Sequence, residues 1–167
     1  NQICERELKQ TMKMSECPPT YALPYEDYEV GSQIILGSHF LTSEEIINFA
    51  KKWDPAPFHI DKKAGLESTH GSLTAAGAHL IAIRIKLIQD RGVNPYIIAT
   101  MGWDKVRFIK PAKPGDKLTL SYKCIEKRLS KSRQNCGIVT MYFEMINQSN
   151  VIILSLNDTI LVRTRDK

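Results

Sequence analysis

The chain has 167 residues, 43% of them hydrophobic and 25% charged. That is the size and balance of one globular domain able to bury a core. No apolar run reaches the roughly 18 residues of a membrane-spanning helix, and the polar start Asn1-Gln2-Ile3-Cys4-Glu5-Arg6 lacks the apolar stretch of a signal peptide. The net charge of +5 suits an anionic ligand such as a phosphorylated cofactor, although net charge bears on association and solubility rather than on fold.

Residues 1–24 read as an irregular N-terminal arm, because Pro18-Pro19 and Pro24 interrupt any helix there. Residues 25–167 read as the folded domain. Order is expected from Tyr28-Glu29-Val30-Gly31, then a short strand through Ile34, Ile35 and Leu36. Thr42-Ser43-Glu44-Glu45 is a capping box, with Thr42 as the cap and Glu45 placed to return a hydrogen bond. Ile46, Ala50 and Trp53 follow at helical spacing, which predicts all three on a core-facing stripe. Pro55 and Pro57 stop that helix at Asp54, and one more helical turn is expected over 61–66.

A long apolar element runs from Thr74 to Arg91. Its small start (Thr74-Ala75-Ala76-Gly77-Ala78) precedes Leu80, Ile81, Ile83, Ile85, Leu87 and Ile88. Such a helix should be buried, with Arg84, Lys86 and Gln89 marking its solvent side. After Gly92 the pattern becomes period two. It predicts a strand from Ile97 to Ile109, a turn at Pro114-Gly115-Asp116, and a strand in which Leu118, Leu120 and Tyr122 alternate with polar residues. Two more strands, Ile138–Ile146 and Val151–Val162, flank the polar Asn147-Gln148-Ser149-Asn150 turn. One buried helix followed by antiparallel strands implies an α+β fold with the sheet wrapped around the helix.

Cys4, Cys17, Cys124 and Cys136 show neither a CxxC pair nor zinc-ligand spacing. Cys124 and Cys136 are expected as small core residues. No metal is expected, and a reducing, cytoplasmic setting is the simplest reading.

The segment that carries chemistry is Asp54-Pro55-Ala56-Pro57-Phe58-His59-Ile60-Asp61. A carboxylate and an imidazole stand close together after a helix, with prolines stiffening the link. Catalytic side chains are often held on such loops. An Asp that ends a helix and a His packed in the interior are the structural alternative, and residue types alone leave both open.

This segment resembles the motif of the MaoC-like (R)-specific enoyl-CoA hydratases, Asp-x-Asn-Pro-aliphatic-His-x-Asp. The resemblance extends to Tyr28-Glu29-Val30-Gly31, the Thr-x-x-Glu helix start, Gly77, and Arg107-Phe108-Ile109-Lys110-Pro111 before Lys113-Pro114-Gly115-Asp116. It implies a single hot-dog domain over 25–167, a homodimer or higher even assembly, and reversible hydration of a trans-2-enoyl-CoA. Coenzyme A would then be part of the substrate, with no separate cofactor. Asp54 and His59 would hold and activate the water, and the Gly77 N–H would receive the substrate carbonyl. Ala56 stands where the motif has Asn, Phe58 where it has a smaller aliphatic residue, and residues 78–91 contain no serine.

Further candidates for substrate contact are Phe58, Trp53 and His79 around this segment, and Lys131 and Arg133 for the phosphates of coenzyme A. Each has a plain alternative: Trp53 and His79 as packed helix residues, and the run Lys127 to Arg133 as a solvated hairpin. His70 reads as loop structure and His39 has no assignment. No basic face interleaved with aromatics supports nucleic-acid binding. Two other functions fit the implied fold: a thioesterase, and a non-catalytic acyl-thioester-binding subunit. Thioesterases of this fold place a carboxylate on or beside the central helix, whereas here the first is Asp90, at its far end.

Overall fold

Alternating apolar and polar residues become five antiparallel strands, and the one long apolar run becomes the helix they enclose. The computed structural model describes residues 22–165. Most of the expected arm, with Cys4 and Cys17, lies outside the described residues. Regular structure begins with a 3-10 turn, Tyr25–Asp27. It is followed by β1 (Gln33–Phe40), α1 (Ser43–Trp53), α2 (Pro57–Ile60), α3 (Lys62–Glu67), α4 (Gly77–Gln89), β2 (Ile97–Phe108), β3 (Lys117–Leu129), β4 (Cys136–Ile146) and β5 (Ile152–Arg163). The sheet order is β1-β3-β4-β5-β2, every neighbouring pair antiparallel.

Even-numbered residues of β3 and β5 and odd-numbered residues of β4 face inward, as period two requires. Leu118, Leu120, Tyr122, Val139, Met141, Phe143, Leu154, Leu156 and Ile160 meet Leu80, Ile83 and Leu87 of α4 in one core. Cys124 and Cys136 are buried free thiols. The turn before β3 is set by Gly115 at φ +91°, a left-handed conformation that favours glycine. No helix among the described residues is long and apolar enough to cross a membrane.

Four expectations are corrected. The central helix starts at Gly77 rather than Thr74, because the backbone before it is engaged elsewhere. Thr74 N–H donates to Phe58 O (3.2 Å) and Ala75 N–H to Ala112 O (3.0 Å), while Ala76 is extended at ψ 148°. Trp53 is 64% exposed rather than core. It is the last residue of α1, and its ring carries the Lys52 ammonium at 4.9 Å. Thr42 does cap α1, accepting from Glu45 N–H at 3.1 Å, but the Glu45 carboxylate accepts from His39 and His79 instead of completing the box.

The fourth correction is the largest. Arg84 does not mark a solvent face; it is 1% exposed. Its guanidinium pairs with buried Asp158 on β5 and lies 4.0 Å over the Phe143 ring. Asp158 keeps the inward parity of Leu156 and Ile160, so helix and sheet each bring one charge to the same interior point. Burying such charges is tolerable only while they compensate each other. Asp158→Ala is therefore expected to destabilise the fold by about 3–5 kcal/mol, whereas Arg84→Met/Asp158→Leu should cost much less. Urea denaturation of the two variants measures the difference.

Candidate active site

Pro57 occupies the first position of α2, where its missing N–H costs nothing, and the single turn it opens carries His59 inward. The prolines thus set a helical turn as well as stiffening the loop. His59 Nδ1–H donates to the Thr74 carbonyl at 2.6 Å. That bond fixes the ring and leaves Nε2 as an acceptor when the imidazole is neutral. Nε2 faces Asp54 Oδ2 at 3.7 Å, the His59 side chain being 11% and the Asp54 side chain 48% exposed. The separation is too long for a direct hydrogen bond. Two acceptors facing across it suit a water that donates one hydrogen to each and turns its lone pairs outward.

Beside this pair lies a cavity of about 440 Å³ bounded by Phe58, His59, His70, Gly77, Phe108 and Lys110, among others. Gly77 opens α4, and Ala76 before it supplies no capping side chain. The first N–H groups of a helix have no intrahelical acceptor, and they carry the positive end of its dipole. A Cβ at Gly77 would stand 2.8 Å from Phe108 Cζ, so any larger residue displaces that ring. The cavity therefore joins His59, whose Nε2 faces Asp54 in an arrangement suited to water, with a helix N-terminus suited to a developing oxyanion and an apolar wall.

The structure brings His59, Phe58 and Gly77 to one cavity; Asp54 is not among its lining residues and stands beside His59, 3.7 Å from Nε2. Phe58 packs edge-on to His59 with ring centroids 4.4 Å apart. Trp53 and His79 do not line it. His79 turns toward α1, donating from Nε2 to Glu45 Oε1 at 3.1 Å and stacking on Phe49 at 4.4 Å. Lys131 and Arg133 sit in the β3–β4 turn and do not line this cavity; Arg133 borders a different one, with Leu129 and Arg165. Within one chain they are not part of this site.

Among the cavity residues that the sequence did not assign to the site are His70, Phe108 and Lys110. Phe108 and Lys110 belong to a segment noted for its resemblance but not assigned to the site. His70 was visible beside Gly71, but nothing in a local pattern tells that its loop folds back to within 5.3 Å of the Phe58 ring.

Residues 29–144 match the family described as MaoC like domain, and the chain belongs to that family. It is 34% identical over 110 residues to Protein MaoC of Klebsiella aerogenes, a match covering 65% of this chain and 32% of that protein. The match therefore spans about a third of that relative's length. The MaoC-like dehydratase from Rhodospirillum rubrum superposes with a TM-score of 0.80 at 28% identity, over 87% of this chain and all of that one. R-Hydratase PhaJ1 from Pseudomonas aeruginosa superposes at 0.70 and 23% identity, over 86% and 88% of the two chains. The expected hot-dog fold is thus the observed one.

Burial pushes the His79 imidazole below its ordinary value of 6.5; the Glu45 carboxylate partly opposes this, and nearby His39 adds to it. The unfolded chain then binds a proton here more readily than the folded one. This contribution to stability is complete above about pH 6.5 and falls as pH drops toward the lowered folded value. Urea midpoints measured at pH 7.5 and 5.5 should show that loss in the wild type and a smaller one in His79→Gln.

Proposed function

We propose that the protein is an acyl-CoA hydratase or dehydratase, interconverting a trans-2-enoyl-CoA and the (R)-3-hydroxyacyl-CoA. The observation that carries this reading is the Asp54–His59 acceptor pair beside the open N–H of Gly77 on an apolar cavity. Membership of the MaoC-like family and the likeness to named dehydratases and (R)-hydratases support the same chemistry.

In the hydration direction the thioester oxygen accepts from Gly77 N–H, which draws electron density from C3. Water held between Asp54 and His59 adds its oxygen to C3 and gives up a proton to this pair. The resulting enolate, stabilised at the helix N-terminus, takes at C2 a proton returned by the same pair, which restores it. Carboxylate and imidazole act as one base-and-acid unit. The steps use side chains and backbone alone, with coenzyme A entering as part of the substrate. Lys110 at the cavity gives its phosphates a nearby cation. A thioesterase reading finds no support in α4, where Asp90 lies at the far end bound to Lys86 at 2.6 Å.

The active form in this reading is a homodimer joined along β2. That strand is a sheet edge and exposes Met101 and Trp103, with Ile85, Phe108 and Ile109 also exposed nearby. Long apolar edges of this kind invite pairing with another copy. Light scattering on a sizing column is expected to give twice 19.0 kDa. Met101→Glu should shift it toward the single-chain mass.

Crotonyl-CoA tests the activity through loss of the enoyl absorbance. Asp54→Ala and His59→Ala are each expected to lower kcat by about 10²–10⁴, with folding intact by circular dichroism. The double variant should fall little further, because the pair works as a unit. Rates untouched by either substitution would remove the assignment.

A further inference from the structure

A second cavity, of about 250 Å³, lies along α4 from the first. Its walls include Ile88, Trp103, Tyr122 and Met141, and they also include Arg84 and Asp158. Two observations set this charged pair apart from a structural ion pair. First, one arm of the fork is open. Arg84 Nη2–H donates to Asp158 Oδ2, but Arg84 Nε and Asp158 Oδ1 are buried without a hydrogen-bond partner. Second, both residues are more than nine-tenths buried, so bulk water does not satisfy those atoms. Buried polar groups left unmade are costly, and their presence in a cavity wall points to a group that completes them.

The position of the cavity says what that group is attached to. Gly77 and Leu80 border the first cavity, and Arg84 and Ile88 the second. These residues form one helical stripe. β2 borders both cavities as well, through Phe108 and then Trp103. Between Gly77 and Arg84 the helix rises about 10 Å, the reach of an acyl chain of about eight carbons that starts with its carbonyl at Gly77. Its chemistry follows from the open arm. Nε–H offers a donor and Oδ1 an acceptor, within a pair of zero net charge. A carboxylate would face Asp158 and an ammonium would face Arg84, whereas a hydroxyl can accept from one and donate to the other.

We propose that the second cavity is the distal end of the acyl site, and that Arg84 and Asp158 select a medium-length acyl chain ending in a hydroxyl group. This rests on the acyl-CoA reading above and names the substrate class for it. Arg84 and Asp158 are then specificity residues, remote from the reacting carbons.

Calorimetric titration with octanoyl-CoA and 8-hydroxyoctanoyl-CoA tests the proposal without requiring turnover. The wild type should bind the hydroxylated chain about tenfold more tightly, the order of one satisfied buried hydrogen-bond pair. Arg84→Met/Asp158→Leu should lose or reverse the preference. Should that variant not fold, Ile88→Phe narrows the same cavity and is expected to weaken both eight-carbon ligands while leaving butyryl-CoA unchanged. Equal wild-type affinities, tighter octanoyl-CoA, or no binding of either ligand would overturn the proposal. Crotonyl-CoA hydration sensitive to Asp54 would, in each of those cases, leave the hydratase reading standing, and its absence would remove that reading separately.

Discussion

The hydrogen bond from His59 Nδ1–H to the Thr74 carbonyl joins the two segments on which the site depends. Thr74 N–H donates in turn to Phe58 O, and Ala75 N–H to Ala112 O. Three short connections thus hold the α2 turn, the approach to α4 and the loop after β2 in one register. The imidazole cannot turn without losing a buried bond, and α4 cannot begin earlier without breaking the two backbone bonds. The same lock therefore fixes which nitrogen of His59 faces Asp54 and where the first free N–H of the helix points.

The central helix has two roles at two depths. Its first turn offers backbone polarity to the cavity beside His59. Two turns further on, it carries Arg84 into the interior, against Asp158 and the face of Phe143. Between these levels Leu80 lines the first cavity and Ile83 packs into the core against the sheet. His79 projects to another side, where Glu45 holds both it and His39 and so ties α1 to the start of α4. Asp54 ends α1, so this cluster also helps set the distance from the carboxylate to Gly77.

Much of this was legible in the sequence because it is local. Strand parity placed Leu118, Leu120 and Tyr122 inward, the capping threonine started α1 where expected, and the Asp54 to Asp61 motif marked the segment that brings Asp54 and His59 together. What was misread depended on partners distant in the chain. Thr74 looked helical until Phe58 and Ala112 are known to hold its neighbourhood extended. Trp53 fitted the apolar stripe, but the stripe ends where the helix does. Arg84 read as a solvent marker because a helix sequence does not reveal a carboxylate 74 residues away; the inward parity of Asp158 on β5 was the signal that could have exposed it. Lys131 and Arg133 were picked out by charge alone, and within one chain they do not line the cavity beside His59.

The proposed chemistry requires that Gly77 receive the thioester carbonyl beside the Asp54–His59 pair. A crystal structure with butyryl-CoA, which lacks the double bond and so cannot react, tests that geometry directly. The thioester oxygen is expected about 2.7–3.1 Å from Gly77 N, with a water bridging Asp54 Oδ2 and His59 Nε2 on the side of C3. A thioester bound away from Gly77, or a dyad facing no part of the acyl group, would contradict it.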